Sequence, residues 1–243
     1  MNELFKKLTS WIEYRNIKVR ICIFCFPLLL VLIFLIIKIG WKNTYENIIQ
    51  EDSTIEYMQS VFFGSASILT FSTFLAALKK GSKYYVFLFL FLSFGLLFIC
   101  LEEISWGQRI LKLNTPPFFY KYNEQKEINI HNLSPIQIKL HQIYVLFCIC
   151  LTFSWILFKY ILSIRYINPN LKTKILLLIP NWYLMLYFMP ALLLYSYFII
   201  FNNNMDGKSF IIWRDQEPTE FLLSLGLLFH IVSMKIKFKK ISA

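Results

Sequence analysis

The chain has 243 residues, of which 57% are hydrophobic, 19% aromatic and 16% charged. Soluble domains carry about 45–50% apolar and about 25% charged residues, so the composition excludes an ordinary soluble domain. The net charge of +11 reads as a topology signal and not as a nucleic-acid footprint, because of where the charges fall.

In chain order, residues 1–18 are polar, basic and aromatic, the pattern of a short amphipathic helix on a membrane surface. Six apolar runs follow, at about 19–40, 57–78, 84–105, 135–160, 175–201 and 217–236. Each is long enough to cross the hydrocarbon core as a helix. The first is too long for a signal-peptide core and lacks a small-residue cleavage pattern, so it is expected to be retained. Pro180 and Pro190 predict a kink or a late start in the fifth. The expected fold is all-α: one polytopic membrane domain over residues 1–243, with a polar loop at 106–134. Cys22, Cys25, Cys100, Cys148 and Cys150 all lie in apolar runs, where buried free thiols are the expectation. The small residues of "FGSAS" (63–67) read as a helix-packing surface rather than a serine nucleophile.

Lys and Arg mark the cytoplasmic side of a membrane protein. Segments 1–20, 79–83, 159–174 and 235–240 hold 16 of the 25 basic residues and two acids, Glu3 and Glu13. The other 12 acids fall in segments 41–56, 102–134 and 202–220. An even number of spans then puts both termini inside, in the cytoplasmic membrane, with the acids on the outer face. Lipid headgroups are the expected partners of the positive charge, and nucleic acid is not.

The outer face gathers the polar chemistry. "EDSTIEYMQ" (51–59) opens the second span and "DQEPTEFL" (215–222) the sixth; acids there suit the positive end of the helix dipole, with Asp52 or Ser53, and Asp215 or Glu217 before Pro218, as caps. "EEISWGQR" (102–109) is different. Glu102 and Glu103 sit at the C-terminal end of the third span, where the dipole disfavours anions. A continued helix would put Glu102, Trp106 and Arg109 on one stripe. Ionisable groups at that depth face a wet interior and are functional candidates; the plainer alternative is an acid pair reaching up to water beside an interfacial tryptophan.

In the loop, "NEQKEINIHN" (123–132) alternates, so an extended segment would align Asn123, Gln125, Glu127, Asn129 and His131 on one side. Ser134 and Pro135 read as cap and first turn of the fourth span, and His141 follows within two turns. His131 beside carboxylates suits proton movement or metal binding, but no known zinc spacing is present. His230, midway along the sixth span, is expected to have a polar partner.

These blocks resemble a group of uncharacterised bacterial multi-pass membrane proteins that share E-D-x-x-x-E, E-E-x-S-W-G-Q-R and N-x-Q-x-E-x-N-x-H-N motifs. The resemblance covers about residues 50–134 and 215–225. It falls on Glu51, Asp52, Glu56, Glu102, Glu103, Ser105, Trp106, Gly107, Gln108, Arg109, Asn123, Gln125, Glu127, Asn129, His131 and Asn132, and more loosely on Glu217 and Glu220. It implies a shared site and no activity.

The expectation is an outer-face site for acid–base or metal-assisted chemistry on a lipid-linked, small-molecule or envelope substrate. Glu102, Glu103, His131 and Arg109 are its catalytic candidates, with Arg109 as anion clamp. Trp106, Gln108, Asn123, Gln125, Glu127, Asn132, Glu56 and Glu220 are its substrate-binding candidates. If a divalent metal binds, Glu103, His131 and Glu220 are the candidate ligands. The alternatives are a cation- or proton-linked binding or transport protein, and a structural membrane protein.

Overall fold

The structure, a computed structural model, describes residues 17–50, 53–163, 168–201 and 210–241. The expected surface helix in residues 1–16 lies outside them, as do Glu51, Asp52, Arg165 and Asp206. All regular elements among the described residues are helical, and one isolated antiparallel bridge joins Asn123 to Leu133. Six stretches are long and apolar enough to cross a membrane, the shortest being Lys83–Glu103 at 21 residues. At the helical rise that length covers about 30 Å, the thickness of the hydrocarbon core.

The spans are α1 (Ile17–Gly40), α3 (Thr54–Lys79), α4 (Lys83–Glu103), α7 (Ser134–Ser163), the pair α8 (Pro169–Leu178) and α9 (Met185–Phe201), and α10 (Gln216–Ile241). Short helices α2 (Lys42–Ile49), α5 (Gln108–Leu111) and α6 (Pro117–Tyr122) lie in the connections. Two of the expected boundaries change. Segment 41–56 contains α2, and the fifth span is broken where Pro180 cannot continue it. Pro190 stays inside α9.

The break is repaired from α10. A proline at 180 removes the hydrogen bond that Leu176 would receive. Lys237 Nζ donates to the Leu176 carbonyl at 3.1 Å and to that of Ile179 at 3.0 Å. His230 Nε2 donates to Leu178 at 3.1 Å. The mid-span histidine therefore has the polar partner its depth requires, and its role is to cap a helix end.

α3 packs along α4 and α10, while α9 packs on α7 and α10. Phe63, Phe89, Tyr187, Phe188, Phe198 and Phe238 fill the core between them. Gly226 is where α10 and α9 touch: a Cβ there would stand 2.6 Å from Tyr187 Cβ. The 63–67 stretch packs as expected, with Ser67 Oγ donating to the Ser93 carbonyl at 2.9 Å and a Cβ on Gly64 meeting Cys100 Sγ at 3.3 Å. Five free cysteines occur among the described residues, but Cys148 is the buried one, and Cys22, Cys25 and Cys150 point outward. α1 is peripheral, burying Pro27 alone. Lys38 in its last turn ties it to the bundle, 2.7 Å from Asp215 Oδ1 and 2.5 Å from Oδ2, and Tyr45 donates to Oδ1 at 2.7 Å.

Candidate functional site

The third span ends on the second of the two glutamates, Glu103. Ser105, Trp106 and Gly107 all take left-handed conformations, with φ of 46°, 56° and 75°, so the chain reverses there instead of continuing as a helix. The stripe expected from a continued helix is therefore cut. Trp106 still reaches Glu102, donating from Nε1 to Oε1 at 2.6 Å, but Arg109 turns away to Glu127.

Adjacent positions on a helix point about 100° apart, and this separates the two glutamates. Glu102 is buried and faces the loop. Its Oε2 accepts from the backbone N–H of Ile130 at 2.6 Å and of His131 at 3.2 Å, and lies 3.5 Å from His131 Nδ1. Asn132 Nδ2 is 3.0 Å from His131 Nε2; if it donates, the ring proton sits on Nδ1, toward Glu102.

The loop is a series of turns and not the expected extended segment, yet the alternation survives as burial: Asn123, Glu127 and Asn129 are buried and their neighbours are not. Asn123 Oδ1 accepts from the N–H of Gln125 (2.9 Å) and of Glu127 (3.2 Å), and its Nδ2 donates to Asn129 Oδ1 at 2.7 Å. Glu127 accepts from Ser105 Oγ, from Arg109 at 2.7 Å and from Asn129 at 3.4 Å. Gln108 donates to Thr115 at 2.8 Å and accepts from the Ile128 N–H at 2.7 Å, while Asn132 donates to Gln125 at 2.5 Å. Ser134 is the first helical residue of α7 and not its cap; its hydroxyl donates to the Tyr122 carbonyl at 2.9 Å. Arg109 is thus half of an ion pair, and most of the expected substrate-binding residues of the loop bond to one another.

Glu103 faces the bundle. Its strongest electrostatic neighbours are Glu220, then Glu217, then Glu56. Four carboxyls from three helices therefore share one space at the end of the bundle. Glu103 and Glu220 are half-buried and Glu217 is buried. Tyr195 of α9 donates its hydroxyl to Glu220, and its ring stacks on Tyr144 of α7 with centroids 4.8 Å apart. His141 packs against the same ring at 5.1 Å, inside an aromatic cluster with Trp213. Gln59 of α3, fully buried, donates to Glu217 Oε2 at 3.2 Å and to its carbonyl at 3.1 Å. Arg214 Nη1 lies 3.9 Å from Glu56. Ser53 and Glu217 are placed as helix-start residues, but the Ser53 hydroxyl makes no cap bond.

Comparison with protein-family models, with curated proteins and with solved structures finds no match. The site is therefore read from its own chemistry. No three His, Cys, Asp or Glu side chains among the described residues have the geometry of a metal site. The three candidate ligands are split between two places, His131 with Glu102 in the loop and Glu103 with Glu220 in the bundle.

Sequence reasoning missed Gln59, Tyr144, Tyr195 and Arg214. Gln59 stands one turn from Glu56, a spacing that could have flagged it. The tyrosines lie in apolar runs and carry no signal until the helices are packed. Two pockets flank the chamber end. One of about 460 Å³ is lined by Glu46, Ile49, Gln50, Ile212 and Arg214. The other, an apolar groove of about 610 Å³ between α1, α9 and α10, ends at Lys38, Tyr45 and Asp215.

Proposed function

We propose that this protein carries out acid–base chemistry on a lipid-linked or envelope molecule, at the outer face of a cytoplasmic membrane, with both termini in the cytoplasm. The orientation rests on the lysine and arginine asymmetry of the four inner segments. The chemistry rests on one observation: Glu56, Glu103, Glu217 and Glu220, from three helices, are close electrostatic neighbours beside Tyr195. Grouping like charges is costly unless the site uses protons or positive charge. Glu103 is the proton acceptor of this reading, and Glu220, held by the Tyr195 hydroxyl, is the second acid–base group. Glu102, His131 and Arg109 hold the loop over the chamber.

Membrane transport is less well supported. Four hydroxyls along α3 are taken by nearby backbone carbonyls: Ser60 by Cys100, Ser67 by Ser93, Thr70 by Ala66 and Thr73 by Leu69. They offer no chain of open sites along the span.

The test is a comparison of total membrane lipids from cells making the wild type, Glu103→Gln, Glu220→Gln or, as a control on the exposed loop, Glu124→Gln. A lipid or lipid-linked species should rise or fall with the wild type and the control and with neither chamber variant. Matching profiles at equal protein levels would remove the catalytic reading.

A further inference from the structure

The acid–base reading leaves the substrate open, and the chamber contains a feature that narrows it. Gln59 is 0% exposed and sits within the carboxyl cluster, its Nε2 bonded to Glu217. Its Oε1 has no hydrogen-bond donor among the described residues. The amide cannot be turned round to help, because Oε1 would then face the two Glu217 oxygens that Nε2 now serves. A buried acceptor with no donor costs about 1–3 kcal/mol. Its partner Glu217 belongs to the cluster with Glu56, Glu103 and Glu220, whose carboxyls in their ionised form are also acceptors. The cluster is therefore rich in acceptors, with the guanidinium of Arg214 beside Glu56, and what Gln59 Oε1 lacks is a compact group with several N–H donors.

Deepening that reading, and resting on it, we propose that the chamber binds the primary ammonium group of an amino-headgroup amphiphile, with Gln59 Oε1 and the surrounding carboxyls accepting its three hydrogens. An ammonium supplies charge and donors together, whereas a quaternary amine supplies charge without donors. The approach also fits a zwitterionic headgroup. The pocket of about 460 Å³ next to the chamber is lined by Arg214, and Arg214 also lies beside Glu56. A guanidinium there suits the phosphate that adjoins an ammonium in such headgroups.

Titration of the purified full-length protein in detergent with short-chain phosphatidylethanolamine and phosphatidylcholine isolates the ammonium, since both carry the phosphate. The ethanolamine lipid is expected to bind about tenfold tighter, the scale of one charge-assisted hydrogen bond. Gln59→Leu and Glu103→Gln should each bring the ratio close to one, and Arg214→Gln should weaken both lipids together. Free ethanolamine should compete with the ethanolamine lipid on the wild type, and choline should not. That arm holds even if Gln59→Leu fails to fold.

Equal affinity for the two lipids, a preference retained in both variants, or competition by choline as strong as by ethanolamine overturns the proposal. If binding shows no headgroup preference while the membrane-lipid profile still depends on Glu103, the ammonium assignment is lost and the acid–base reading stands. If the preference is present and the profiles match, the chamber binds without catalysing.

Discussion

The loop over residues 105–133 and the chamber beneath it are built from the same kinds of residue and end up opposite in character. At the loop the two buried carboxylates meet donors. Glu102 takes two backbone N–H groups and an indole, and Glu127 takes a guanidinium, a hydroxyl and an amide. In the chamber the carboxyls share fewer donors and stand as electrostatic neighbours of one another, Glu103 above all. Saturated networks rigidify a fold, while crowded like charges lower stability and persist where a site needs them. The adjacent pair Glu102 and Glu103 puts both regimes on one turn of helix, so substituting each separately measures the contrast directly.

The largest expected effect is on activity in the chamber. Glu103→Gln keeps the shape and removes the charge, and should lower turnover about 100-fold or more if the residue transfers protons. Its thermal unfolding in detergent should occur at or above the wild-type temperature, because one repelling neighbour is gone. A clear drop in unfolding temperature would show that Glu103 serves the fold instead. Glu127→Ala should behave the other way. It removes the acceptor of the buried Ser105 hydroxyl and the ion-pair partner of the half-exposed Arg109, and should cost about 2–3 kcal/mol of stability, with activity falling only as folded protein is lost.

Much of this contrast was hidden from the sequence for a physical reason. The spans were legible because an apolar run of about 20 residues has one stable solution in a bilayer. The Pro180 break was legible too, because proline removes a specific hydrogen bond. The division between Glu102 and Glu103 was not. A helix extended through residue 109 puts Arg109 beneath Glu102, and only the left-handed run at Ser105 and Trp106 prevents it. Gly107 alone hinted at that run, since serine and tryptophan rarely adopt positive φ. The alternation in 123–132 marked three side chains that turn inward, Asn123, Glu127 and Asn129, but Gln125 and His131 stay partly exposed, Asn132 is buried out of phase, and nothing in the pattern said that they would bond to each other. Tyr144, Tyr195 and Arg214 reach the chamber across long sequence separations that no local pattern encodes.

A third region calibrates the comparison, because it too buries charge and has no proposed chemistry. Lys237 is buried and donates to two carbonyls freed by the Pro180 break. Lys237→Met should lower stability by about 2 kcal/mol, the worth of hydrogen bonds to a charged group, and leave the response to lipid unchanged. A change in lipid response would mean that the broken span moves with the chamber, and the separation between structural and functional charge would fail there.

The smallest effect tests whether the reversal after Glu103 is what keeps the two glutamates apart. Gly107 has φ of 75°, and a Cβ added there would meet nothing nearer than Leu111 Cδ1 at 3.9 Å. Steric clash is therefore absent, and Gly107→Ala should cost only the left-handed backbone penalty, about 1 kcal/mol. The neighbouring change has the opposite balance. Trp106→Gly relieves a comparable strain at φ 56°, but it deletes the indole bond to Glu102 and the ring contact with Phe98 at 5.7 Å. A hydrogen bond to a carboxylate is worth about 1.5–3 kcal/mol, more than the strain released, so Trp106→Gly should destabilise and Gly107→Ala should do so less. If Trp106→Gly proves the more stable of the two, the strained turn is not being held by Glu102, and the loop and chamber are less distinct than their hydrogen bonds make them.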